Sequence, residues 1–360
     1  MLRLARAPLA SLAPRSSLAP LSSLAPPTRP PAARGAIALY AGTLAGLALL
    51  AADEYLDLRQ WTTRRHSILS PQRFDVTIRS RVRAAPSELG QGCVDWPAGR
   101  VLLQWALDGG VPLSGAALLE IGSGVGLAAL GFAIAAARPG GTPPPSSVVA
   151  TDSCAAALDN LQRNARANGV ALDGSAPLRV ERWDAAAGAA GVRLLGEAVE
   201  IGSLTHVIGA DLVSLPLFEG AALANPVSDE ADGADAALAG RGGLEETLAA
   251  LLAARPGLQV TLLLVDRCAG GALNALADAA GVEPRATAPR SRRDPALAAF
   301  EKRCASLGLE ARRVPLPAHV VEHVHASQSW PTRAYWWLAD VWEGLALYSI
   351  APKEAGATRA

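Results

Sequence analysis

The chain has 360 residues, 50% hydrophobic and 18% charged, enough to build a sizeable core in one large or two ordinary domains. Its 33 basic and 33 acidic residues cancel, so no net field draws it to nucleic acid. Four scattered cysteines, Cys93, Cys154, Cys268 and Cys304, form no C-x-x-C pair, which excludes a disulfide framework or a cysteine-rich zinc site.

Residues 1–35 are rich in Ala, Leu, Ser, Pro and Arg, and SLAP recurs at 11–14, 17–20 and 23–26. Proline at this density forbids a long helix or a core. The first 52 residues hold five arginines and no acid, which leaves the rest of the chain at a net charge of −5. Arginine and serine without acid fit an organellar transit peptide, for a mitochondrion or a plastid; a disordered tail, with a cytoplasmic protein, is the alternative. Ala36 to Ala52 is uncharged. As a helix it would measure about 25 Å, slightly short of a ~30 Å hydrocarbon core. It reads as a marginal membrane helix, part of a targeting signal, or a helix packed on the domain.

Residues 53–91 form an N-terminal extension with short strands. Phe74, Val76 and Ile78 alternate with polar residues, as in a half-buried strand. Gly90–Gly92 is a turn, and Trp96–Leu107 is a helix with Pro97 in its first turn. The main domain, 92–350, then alternates strands and helices: strand 117–121, helix 127–137, strand 148–151, helix 155–168, and strands at 178–181 and 206–210. Gly169 suits the end of the second of these helices. Residues 219–243 are acidic and turn-prone, a flexible insertion. Helix 244–254, strand 260–265, helix 296–307, strand 310–314 and strand 345–350 follow, with a tail at 351–360. This alternation implies an α/β fold with a doubly wound, mostly parallel sheet and helices on both faces. Ligands of such folds sit at the carboxyl ends of the strands, where the strand order reverses. Glu120, Asp152, Asp184 and Asp211 all fall at or near strand ends.

The most informative stretch is LLEIGSGVGL at 118–127. An apolar strand ends in Glu120 and Ile121, and then Gly122, Gly124 and Gly126 alternate. Alternating glycines permit positive φ and let a ligand lie on bare backbone. Dinucleotide enzymes favour G-x-G-x-x-G with a pyrophosphate at the helix start. The G-x-G-x-G spacing after a carboxylate suits a cation instead, such as S-adenosylmethionine, which carries a sulfonium and an ammonium and no phosphate. Asp152, after the next strand, can accept hydrogen bonds from ribose hydroxyls. Asp211, after strand 206–210, would orient or attract an acceptor amine.

At this point the chain resembles the class I, seven-stranded S-adenosylmethionine-dependent methyltransferases, and among them the protein-lysine methyltransferase-like group whose members modify elongation factors and chaperones. The resemblance is carried by G-x-x-x-W at Gly92–Trp96, LLEIGSGVGL, TD at Thr151–Asp152, N-x-x-x-N at Asn160–Asn164, RWD at Arg182–Asp184 and IGADLV at Ile208–Val213. It implies a Rossmann-like sheet, S-adenosylmethionine as cofactor, and a protein substrate of the translation-factor or chaperone kind. It implies that Trp96 lies over the methionine end, that Gly122, Ser123 and Gly124 pass beneath the cofactor, that Asp152 holds the ribose, that Trp183 packs on the adenine, and that Ala210 touches the cofactor through its backbone. It implies neither a metal nor a nucleic-acid partner, and a monomer is expected. One position departs from the family: Ser214 stands where its D-x-x-Y motif places a tyrosine. An aromatic wall there would desolvate a lysine and favour its neutral form; Tyr335, Trp336 or Trp337 are candidates to supply it. HVVEH at His319–His323 matches an H-x-x-E-H zinc pattern, but Pro315, Pro317 and the valines read as a strand or loop with partly exposed histidines.

Overall fold

The computed structural model describes residues 61–69, 73–81, 91–138, 145–213, 243–266, 294–328 and 344–354. The segments 1–35 and 36–52, Ser214, Cys268, Tyr335–Trp337 and the 219–243 insertion short of Gly243 lie outside them. Among the described residues no helix is long and apolar enough to cross a membrane.

Seven strands form the main sheet: β3 (Ala117–Ile121), β4 (Ser147–Asp152), β5 (Leu178–Arg182), β6 (His206–Ala210), β7 (Gln259–Val265), β8 (Leu309–Val314) and β9 (Leu345–Pro352). Their order is β5-β4-β3-β6-β7-β9-β8. β3 to β7 run parallel, and β9 is antiparallel to both its neighbours. The Rossmann-like, mostly parallel sheet expected from the sequence is thus present. Its central strands are apolar throughout because both faces are covered: every residue of β3 is buried. Alternate side chains feed two cores. Leu118, Val148, Ile208, Leu263 and Val265 pack with α1 (Pro97–Trp105), α2 (Leu127–Ala136) and α7 (Ala318–Ala326). Leu119, Val149, Val207, Leu262 and Leu264 pack with α4 (Gly188–Ala198), α5 (Gly243–Ala254) and α6 (Pro295–Ser306). Helix α2 is buried at eight of its ten positions, so it is apolar all round rather than striped.

Strand order reverses at β3. From there the chain steps outward to β4 and β5, then crosses to β6 and β7 on the other side. The carboxyl ends of β3 and β6 therefore flank the crevice where such sheets bind ligands.

A second, two-stranded sheet precedes this one. β1 (Trp61–Ile68) and β2 (Phe74–Arg81) pair antiparallel in full register. Sequence reading found β2 but not β1, whose polar TTRR run hides the inward His66 and Ile68. The outer edge of β2 meets α3 (Ala155–Ala167) and the residue after it, not another strand. Asn164 and Asn168 each accept from and donate to β2 backbone, at Arg79 and Thr77, and Asn160 donates to the Arg79 carbonyl at 2.7 Å. The N-x-x-x-N spacing puts these amides on one helix face, where they stand in for a neighbouring strand.

One local expectation was wrong, and one helix went unread. His319–His323 lies inside helix α7, because Pro315 and Pro317 precede the helix rather than interrupt it and Val320 and Val324, four apart, face the core. The segment 188–198, to which the sequence reading assigned no element, is helix α4: its alanines favour helix and Val192 and Leu195 bury one side. Elsewhere the boundaries moved by one or two residues, as frayed ends do.

Candidate functional site

Three glycines carry the turn from β3 into α2, with φ of 64° at Gly122, 52° at Gly124 and 85° at Gly126. A Cβ on Gly122 would stand 2.4 Å from the Leu212 side chain, and one on Gly124 would stand 2.9 Å from the Gly92 carbonyl oxygen. The loop is thus pressed between two other segments, Gln91–Trp96 above β4 and Ala210–Val213 after β6.

Polar groups brace this loop. Ser123 N donates to the Thr151 carbonyl at 2.8 Å, and Thr151 N donates to Ser123 Oγ at 3.0 Å. Thr151 Oγ1 donates to the Glu120 carbonyl at 2.7 Å. These bonds extend the β3–β4 ladder one residue into the turn.

Asp152 ends β4, buried. Its Oδ2 accepts from Gly124 N and its Oδ1 from Cys154 N, both at 2.9 Å. Burial raises its pKa against these hydrogen bonds, so the carboxylate is under-stabilised. Each oxygen keeps a further lone pair for a ribose hydroxyl.

Glu120 is 4% exposed, and its Oε2 accepts from Ala129 N at 3.0 Å. It caps α2 from outside the helix, a task that Gly126, with no side chain, leaves undone. Burial pushes its pKa up to about 8, opposed by bonds from Ser123 and Ala129 and assisted by Asp152. No basic side chain is among the groups that shift it. Two neighbouring buried carboxyls without a cation form a site for a positive ligand and a poor one for a pyrophosphate.

Across the crevice, β6 ends at half-buried Ala210 and passes into Asp211, whose φ of 51° makes it the only non-glycine residue with positive φ among the described residues. Its N–H donates to the Leu263 carbonyl at 2.8 Å, which ties the turn to β7. An aspartate held in this conformation stores strain, a common mark of functional turns.

The tryptophans divide. Trp96 caps α1 with φ −82° and is half-buried against the core cluster of α1 and α2. Trp183 departs from expectation: it is 6% exposed among Val192, Leu195 and Leu248, and its Nε1 donates to the Gly191 carbonyl at 2.8 Å. Its indole packs in the core beside α4. Asp184 is also committed, capping the next turn through a 2.8 Å bond from Ala186 N. Of four acids at strand ends, only Glu120, Asp152 and Asp211 border the crevice.

Some contacts had no sequence signal. Leu212 seals the glycine loop, and Gly92 lies against both Gly124 and Asp152. Next to Trp96, Asp95 is buried beside His66 of β1, His66 Nε2 standing 2.9 Å from Asp95 Oδ2. Elsewhere, His319 Nε2 stands 3.8 Å from Asp108 Oδ2, and among the described residues no group of three potential ligands could hold a metal ion. Cys93 and Cys304 are packed thiols, pushed up to about 11 and about 12 by burial.

Residues 81–213 match the model of a family described as lysine methyltransferase. A search of curated proteins found no match. Similar solved structures include ribosomal protein L11 methylase from Lactobacillus delbrueckii subsp. bulgaricus, 12% identical over 70% of this chain and 79% of that one with a TM-score of 0.35. A SAM dependent methyltransferase from Aquifex aeolicus is 11% identical over 71% and 93%, with a TM-score of 0.37. Geranyl diphosphate methyltransferase in complex with SAM is 14% identical over 71% and 84%, with a TM-score of 0.36. At such scores the likenesses add no argument beyond the sheet described above. Residues 81–213, which carry the glycine loop, Asp152 and Asp211, are thus similar to the lysine methyltransferase family. The chain's cofactor is S-adenosylmethionine, whose positive charge fits the uncompensated carboxyls of Glu120 and Asp152.

Proposed function

We propose that this methyltransferase acts on a nitrogen of a protein side chain, lysine foremost. The observation that carries the reading is the lysine methyltransferase family match over 81–213, which ends two residues beyond Asp211. When bound, the cofactor supplies a methyl carbon on a sulfonium, a leaving group that departs neutral. The chain's own work is then positioning, charge and exclusion of water. Asp152 and the amides of the glycine loop hold the donor, and Glu120 sets a negative field behind it. Asp211, at the end of β6 and next to the segment that touches Gly122, attracts a lysine ammonium and orients its nitrogen toward the crevice. The proton that the amine must lose goes to solvent before attack.

Ser214 favours one second reading, a small-molecule acceptor, because the tyrosine wall of the D-x-x-Y motif is missing. Tritiated S-adenosylmethionine added to extract from cells lacking the gene separates the two. Label on protein, located at methyl-lysine by mass spectrometry, supports the first reading. Label confined to small molecules overturns it, and tight cofactor binding with no label in either fraction would make the chain a binding protein. A translation factor or chaperone is the substrate class to test first. An organellar address rests on the composition of residues 1–35 and is tested by imaging a full-length fusion.

A further inference from the structure

The β1–β2 hairpin, which lies outside the family-matched residues except for Arg81, also reaches the site. Two ties join it to the segment that runs along the glycine loop, and a third joins it to helix α1 just beyond. Arg81, the last residue of β2, forms a parallel bridge with Val94. One residue on, Asp95 Oδ2 stands 2.9 Å from His66 Nε2 of β1, a close contact that does not meet hydrogen-bond geometry, with side chains only 8% and 3% exposed. A turn later, Arg100 Nη2 donates to the Ser67 carbonyl at 3.0 Å. The segment so held, Gln91–Trp96, is the one whose Gly92 lies against Gly124 and the Asp152 carboxylate.

The hairpin does not need this polar contact to pack, because Ile68, Phe74, Val76 and Ile78 already bury its inner face. Burying two polar groups costs desolvation that an apolar pair would avoid. Asp95 also faces Arg64 on β1 and Arg100 on α1, so its charge keeps company without His66. What His66 adds is direction, since it sits on the inward face of β1 and fixes where Asp95, and hence the backbone between Gly92 and Trp96, comes to rest.

We infer that the β1–β2 hairpin is a positioning element of the cofactor site, and that His66, through Asp95, holds the Gly92–Trp96 segment down on the glycine loop. His66 is a positioning residue and touches no reacting atom. The inference rests on the cofactor assignment and is independent of the acceptor.

Calorimetric titration of the full chain with S-adenosylmethionine, alongside thermal melting, tests it. His66→Ala should bind the cofactor about 10-fold more weakly while still melting cooperatively, the scale of a supporting-shell misplacement. His66→Gln, whose amide reaches the same carboxylate, should recover to within about 3-fold. Asn168→Ala loosens the hairpin at its far attachment to Thr77 and should lower the melting temperature without changing affinity. Should His66→Ala fail to fold, Asp95→Asn, of the same shape, is expected to show the same loss. Wild-type affinity in a folded His66→Ala or Asp95→Asn, or an equal loss in Asn168→Ala, would overturn the inference. Wild-type protein that binds no S-adenosylmethionine would overturn the cofactor assignment as well.

Discussion

The two sides of the crevice are built differently. On the β3–β4 side, Ser123, Thr151, Glu120 and Asp152 share at least five hydrogen bonds with the glycine loop, its flanking strands and α2. On the β6 side, Asp211 stands in a left-handed conformation, and its N–H donates to the Leu263 carbonyl of β7. The first is over-determined, so a ligand meets a surface already in place. The second presents a charged side chain from a left-handed turn. A donor common to a whole class of enzymes suits the first kind of site, and an acceptor that varies from enzyme to enzyme suits the second.

That contrast can be broken at four points, taken in order of expected effect. Gly122→Val puts a branched side chain at φ 64° and into Leu212, which disturbs both sides at once. It should weaken S-adenosylmethionine by at least about 100-fold and cost roughly 2–3 kcal/mol of stability, read by calorimetry and urea unfolding. Asp211→Ala should cut methyl transfer on the order of 100-fold and leave cofactor affinity within about 2-fold. If both fall together, the two sides are not separable. Asp211→Asn, which tolerates positive φ, should be less destabilised than Asp211→Ala by about 1 kcal/mol, while losing activity similarly.

Glu120 offers a pH test of the donor side. Its carboxyl loses its proton near the ordinary 4.5 when the chain unfolds and near about 8 when folded. Between those values the folded state holds more protons, so its contribution to stability falls as pH rises and is least above pH 8. Glu120→Gln should lack that slope, gaining on wild type from pH 5.5 to 8.5 in denaturation midpoints. Binding a cation beside the carboxylate should also release a proton near pH 7, seen as a buffer-dependent heat that Glu120→Gln abolishes. Smallest of all, Trp183→Phe removes the bond to Gly191 and should cost about 1 kcal/mol with cofactor affinity unchanged; a 10-fold loss would return Trp183 to the adenine.

The strands were easy to read where burial on both faces makes apolar runs, as at 117–121 and 260–265. The glycine loop was legible because only glycine can hold three positive φ values in five residues. Side-chain direction was harder. Sequence placed Glu120 at the right strand end, but only its contact with Ala129 shows that it braces α2. Trp183 looked like a ligand surface and is core, since nothing nearby in sequence announces α4 lying across it. His66 gave no signal, because its partner Asp95 lies 29 positions on and meets it only when the hairpin folds over α1. Valines pointed to a strand at 319–323, and burial every fourth residue overrode them.

The asparagine row along α3 has one more consequence. An open strand edge invites pairing with a neighbour's chain, which is how sheets aggregate. Here the outer backbone of β2 at Thr77 and Arg79 is occupied by side-chain amides that cannot propagate a sheet. At the other margin, Gln104 occupies the backbone of Leu69, just past the end of β1. The β2 edge is therefore guarded against intermolecular strand exchange, and trimming residues 61–81 would not shorten the protein harmlessly. It would leave Asn160, Asn164 and Asn168 searching for replacements, with solubility as the first property to suffer.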